Sequence, residues 1–235
     1  MGVDNIRNVD MPPKTTARLG GFLFLVLAVC SGADWGHFNS IFVPGDALAT
    51  ATNIRASEGM YRLYFAVNLL GQVAFLFSAY FFYKLFKPVN RDLARLMALL
   101  VFVSVPIAIL NMLNQFAPIL LLNGGYQAIF GPAQLNSLIL LFLELYKYGM
   151  LIAGVFWGLW LFPLGFLVYK SGFIPRFIGV FLVIAGIGYI ADSSLRFLMP
   201  GYKFGIASYT FWGELMLILW LLIRGVRKPA VKRVE

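Results

Sequence analysis

The acids and bases of this chain are few, and several fall where apolar residues surround them. The stretch "ADSSLRF" (191–197) puts Asp192 and Arg196 four residues apart, directly after the uncharged run "IGVFLVIAGIGYI". Glu144 and Lys147 recur in the same way inside "LFLELYK", and Glu58 and Arg62 precede a third apolar run. Opposite charges three or four residues apart share one face of a helix, where they neutralise each other or meet a ligand's charge. Glu214 differs, because its own segment offers no base until Arg224. A carboxyl in that position either bonds to Arg196 or Lys147 from a neighbouring helix or stays protonated.

Uncharged polar residues follow the same pattern. Ser104, Asn111, Asn114, Gln115 and Pro118 fall on one helical face, and so do Asn68 and Gln72. The chemistry these residues offer is charge recognition, hydrogen bonding and proton handling. The candidate ligand-binding set is therefore Glu214, Asp192, Arg196, Glu144, Lys147, Arg62, Asn111, Asn114 and Gln72. Asp34 and His37 read as the outer end of a first apolar run, with His37 an interfacial residue beside Trp35 and Phe38.

Other chemistries lack their residues. One cysteine, Cys30, and one histidine, His37, exclude an internal disulfide, the common Cys/His zinc sites and bis-histidine haem ligation. There is no H-E-x-x-H or G-x-S-x-G and no aspartate pair spaced for phosphotransfer. Neither a cofactor nor a metal is expected.

The elements that must hold these groups follow from composition. In 235 residues, 60% are apolar and 12% charged, and the mean hydropathy is +0.81. A soluble domain carries roughly 25% charged residues. The chain reads as an all-α membrane protein, a bundle of six transmembrane helices in one domain. The expected division is a cytoplasmic tail over 1–18, the six-helix domain over 19–223 and a basic cytoplasmic tail over 224–235. The spans are expected near 19–37 or a little beyond, 61–86, 93–122, 143–169, 177–199 and 206–223, with Pro106 and Pro118 bending the third. A short outer helix in 43–60, capped by Asp46, lies between spans one and two. The helical sequence over 133–169 is longer than a bilayer requires, so its first part should project or lie at the interface.

The net charge of +9 is read as topology rather than as a nucleic-acid surface. With both termini cytoplasmic, only Arg55, Arg62, Lys147, Arg196 and Lys203 of the 19 Lys and Arg residues lie toward the outside. The polar residues gather toward that same side, which predicts a funnel open outward and closed below by apolar packing. Gly154 with Gly158, and Gly179, Gly186 and Gly188, read as close-packing surfaces.

The segments "VPGDALATATNIRASEGMYR" (43–62), "LFKPVNR" (85–91) and "GLWLFPLGFLVYKSGFIPRFIGVFLVIAGIGY" (158–189), with Asp192 after them, resemble the bacterial membrane-protein family known as domain of unknown function 4386. The resemblance implies a multispanning helical protein of the bacterial inner membrane and carries no activity or site residue with it. The expected function is binding or carriage of a small polar or amphipathic molecule in the outer cavity, with the 43–60 segment as a lid. The alternatives are a membrane-embedded enzyme using buried carboxylates and a structural or accessory subunit. Membrane lipids are the expected partners and nucleic acid is not; the oligomeric state is not legible.

Overall fold

A computed structural model describes residues 11–199, 201, 202 and 204–226. Most of these are helical, and no strand occurs among them. The helices are α1 (Pro13–Ile41), α2 (Ala47–Ala56), α3 (Glu58–Phe86), α4 (Arg91–Asn123), α5 (Pro132–Ser171), α6 (Arg176–Leu198), α7 (Ala207–Thr210) and α8 (Trp212–Ile223), with one 3-10 turn at Tyr126–Ala128. Five of them, α1, α3, α4, α5 and α6, are long and apolar enough to cross a membrane.

The sixth expected span is shorter. The apolar stretch Ala207–Ile223 amounts to roughly 26 Å of helix, against a hydrocarbon core of about 30 Å. It is also interrupted at Phe211. Even so, α8 packs against both α6 and α1 and so closes a ring running α1, α3, α4, α5, α6, α8.

Local chemistry accounts for the helix boundaries. Pro13 stands at the first position of α1, where a missing N–H costs nothing and the fixed φ suits a helix. The helix therefore begins ahead of Leu19. The Asp46 carboxylate accepts the Ala49 amide at 2.8 Å and caps α2, after a turn in which Gly45 has φ +77. The Asn53 side chain donates to the Ile41 carbonyl at 3.1 Å, tying α2 to the end of α1. Asn90 caps α4 by accepting the Asp92 and Leu93 amides at 3.1 and 3.0 Å. Helix α5 is continuous over 40 residues. Its first turns pack against α2, with Leu135, Ile139 and Leu143 buried in a cluster that includes Ala51 and Ile54.

The end of the ring away from α2 is filled by aromatic side chains. Trp160 is 1% exposed, meets Phe24 and Phe75 edge-on at 5.5 and 5.1 Å, and stacks with Phe82 at 6.4 Å. Helices α5 and α6 approach backbone to backbone. A Cβ on Gly158 would lie 2.8 Å from the Gly186 carbonyl, and one on Gly179 would lie 2.5 Å from the Gly165 carbonyl. Gly154 faces the Ser193 hydroxyl and Gly188 faces Thr210, so the expected glycine surfaces are contact surfaces.

Candidate functional site

Toward the α2 end the aromatic packing gives way to a cavity of about 680 Å³ bounded by α1, α3, α5, α6, α7 and α8. Phe24, Phe75, Trp160 and Ile218 line its apolar end. Two polar walls face each other above them.

The first wall centres on Asp34, which is 4% exposed. Gln115 Nε2 donates to Asp34 Oδ1 at 2.7 Å, and Asn68 Nδ2 and the Tyr146 hydroxyl donate to Oδ2 at 2.9 and 3.1 Å. Four helices thus meet on one carboxylate. Further bonds hold the donors: Asn111 Nδ2 donates to the Tyr146 carbonyl at 2.7 Å, Asn114 Nδ2 to Asn111 Oδ1 at 3.0 Å, and Gln72 Nε2 to Asn68 Oδ1 at 3.5 Å. The Tyr61 hydroxyl donates to the Gln115 carbonyl. That carbonyl is next to the Asn114 carbonyl, which Pro118 deprives of its helical donor.

The second wall is built from α6, α7 and α8. Asp192 does not pair with Arg196. Its Oδ1 accepts the Tyr202 hydroxyl at 3.0 Å and the Ile206 amide at 2.8 Å, and its Oδ2 accepts the Ala207 amide at 2.7 Å. The carboxylate therefore caps the start of α7 from a neighbouring helix, satisfying amides that no helical carbonyl reaches. Burial, and then the bond to Asp192, push the Tyr202 phenol above its usual pKa. Arg196 Nε is left buried without a hydrogen-bond partner. The Tyr189 hydroxyl approaches the Glu214 carboxylate, whose Oε1 is also buried without a partner. Among the described residues Glu214 has no base within 4 Å. Lys147 sits over the Phe42 ring at 5.5 Å.

Of the residues singled out from sequence, the cavity lining brings together Glu214, Asp192, Arg196, Lys147 and Gln72. Glu144 and Arg62 do not line it, and Asn111 and Asn114 support the Asp34 wall from behind. Arg62 instead pairs with Glu58 at 2.8 Å on an exposed surface and lies over Phe116 at 5.9 Å. No residue of 43–60 lines the cavity; α2 packs beside it, chiefly on α5, so the lid role is withdrawn. Asp34, Asn68, Tyr146, Trp157 and Tyr189 were not among the expected site residues, yet all line the cavity. Asp34 did have a signal, being the one acid within the first apolar run.

The sequence profile described as Domain of unknown function (DUF4386) matches residues 19–225. The chain belongs to that family. The match takes in every wall of this DUF4386 protein's cavity. An "Uncharacterized protein" of Archaeoglobus fulgidus is 51% identical over 71 residues, which is 30% of this chain. The matched stretch spans 43% of that relative's length. No solved structure matches the DUF4386 chain.

Proposed function

We propose that this multispanning membrane protein binds a small amphipathic molecule in the cavity between the Asp34 wall and the α6–α8 wall. One observation carries the reading. Gln72 Oε1, Trp157 Nε1, Arg196 Nε and Glu214 Oε1 are buried without hydrogen-bond partners, and all four residues line that one cavity. Unpaired buried polar atoms are costly and uncommon. Residues that carry two unpaired acceptors and two unpaired donors line one space, which suits a ligand with both an anionic and a donor group. Arg196 and Lys147 would meet its anionic group, Glu214 its donor, and Phe24, Phe75 and Trp160 its apolar part. The volume lies within the usual range for small-molecule sites, about 300–1,000 Å³.

The topology that goes with this reading has both termini cytoplasmic, because the basic residues gather at that end, and α7–α8 as the sixth, shortened crossing. The cavity then faces outward, and lipid is the surrounding partner. An enzymatic reading called for carboxyls within reach of one another. Asp34 is tied to neutral amides and a phenol, and Asp192 to backbone amides. A structural role is supported for Asp34 and Asp192, whose carboxylate oxygens are bonded within the protein.

Native mass spectrometry of the protein purified in a mild detergent tests the proposal. The wild type is expected to carry a bound small molecule that Glu214→Gln and Arg196→Gln each lose while their thermal midpoints stay close to wild type. Equal retention in all three proteins would overturn it.

A further inference from the structure

The cavity is walled on most sides and open on one. Its lining residues on α3, α5 and α6 are buried or half-buried, whereas Ala28, Gly32 and Trp35 of α1, with Ser208 and Phe211 on and just after α7, line it and are exposed. The three α1 residues recur at i, i+4 and i+7, one stripe along the helix. Helix α1 stays on α3 at this level: a Cβ on Gly71 would lie 2.9 Å from the Cys30 Cβ, and Asn68 donates to Asp34. It does not stay on α8. A Cβ on Gly21 would lie 2.8 Å from the Leu221 Cβ, but one on Gly32, roughly 16 Å further along, would meet nothing within 4 Å. Trp35 stacks on Phe38 and Phe211 on Trp212, and among the described residues no hydrogen bond or ring contact joins the two edges. The opening is therefore a slit in the side of the bundle. Ala28 stands roughly 20 Å along α1 from Ile41, against a hydrocarbon core of about 30 Å, so the slit reaches down among the acyl chains of a surrounding bilayer.

Resting on the cavity as a binding site, we propose that its ligand is a single-chain anionic lipid of the monoacyl glycerophosphate class, which enters sideways from the bilayer through the slit between α1 and α7. A polar solute gains nothing from an opening at this depth, because it would have to cross hydrocarbon to use it. A lipid chain is already there. The small side chains at Ala28, Gly32 and Ser208 leave room for it to pass, and Phe24, Phe75 and Trp160 receive it. A chain moving from bilayer to cavity exchanges one apolar surrounding for another, so the polar atoms at the head supply the selectivity. Arg196 and Lys147 line the cavity and, among the described residues, neither is in an ion pair. They suit a phosphate, and the unpaired Glu214 Oε1 suits a glycerol hydroxyl. A volume of about 680 Å³ holds such a head with one chain and is too small for a two-chain phospholipid.

Full-length wild type and three variants in phosphatidylcholine vesicles are exposed to an oleoyl lysophosphatidate with a photoreactive diazirine on its chain, and labelled residues are located by mass spectrometry. Phe24 and Ile218 are each 2% exposed and line the cavity, so label on them has come from inside it. Labelling of both is expected, displaced by excess unlabelled lysophosphatidate and not by glycerol phosphate. Gly32→Trp slows it roughly tenfold and leaves the thermal midpoint unchanged, since a side chain there meets open space. Gly36→Trp also meets open space but lines no part of the cavity, and it leaves the rate unchanged. Ser208→Trp, on the facing edge, slows labelling as well and keeps the test open if Gly32→Trp does not fold. No displaceable label on Phe24 and Ile218, displacement by glycerol phosphate, or equal rates in Gly32→Trp and Gly36→Trp would overturn the proposal. A water-soluble ligand that Glu214→Gln loses leaves the binding site standing and removes lipid entry, whereas a ligand that survives both Glu214→Gln and Arg196→Gln removes the two together.

Discussion

Asp34 and Glu214 are both acids on the wall of one cavity, each the sole acid of its helix, and the bundle treats them differently. Three neutral donors from α3, α4 and α5 converge on Asp34, so it acts as a junction on which four helices are set. Glu214 is approached by one phenol and keeps a buried oxygen without a partner. The comparison separates stability from availability. A carboxylate enclosed by donors organises the bundle, and one left short of donors is available to whatever enters. Asp192 sides with Asp34, since it spends its oxygens on capping α7, and Arg196 Nε is left without a partner.

The sharpest way to break this contrast is to truncate the junction. Asp34→Ala leaves three buried donors unsatisfied at about 1–3 kcal/mol each. A loss on the order of 3 kcal/mol or more is therefore expected in denaturant titration of the detergent-solubilised protein, with Glu214→Gln within ~1 kcal/mol of wild type. Equal losses would erase the distinction. Next in size is the seam that sets the distance between α5 and α6. Gly179→Leu drives a side chain against the Gly165 carbonyl and the Tyr169 amide, 2.5 and 2.9 Å from where its Cβ must sit. Overpacking of this sort costs roughly 1–3 kcal/mol. Its other expected effect is loss of a disulfide engineered across α5 and α6.

Asp192→Ala removes a cap from α7 and should cost about 0.5–2 kcal/mol, read as faster proteolysis between 199 and 206. A larger effect than that of Asp34→Ala would mean that the second wall, and not the first, holds the bundle together. The smallest effect belongs to the exposed pair. Arg62→Ala should change stability by less than about 1 kcal/mol, and ligand retention should not change, since Arg62 lines no part of the cavity.

Much of this was legible from local rules. The Asp46 cap, the glycine seam of α5 and α6 and the membrane character of five helices all follow from residue types and spacings within one segment. Asp34 was misjudged for a local reason as well. Placing Asp34 at the outer end of the first apolar run puts it at the interface, whereas α1 runs on to Ile41, whose carbonyl accepts from Asn53 of α2, and Asp34 is buried about two turns below that end. Asp192 and Arg196 illustrate the opposite limit. Their four-residue spacing is real, but the carboxylate found better donors in a segment 14 residues further on.

Sequence alone determined that this chain forms apolar helices, where several of them are capped, and that polar residues within the apolar runs share helical faces, because propensity, capping and hydropathy act over a few residues. Which acid is enclosed and which is left open was decided by tertiary structure. Hydrogen bonding to a buried carboxylate depends on which donors other helices bring within about 3 Å, and that distance is set only when the ring of six helices closes.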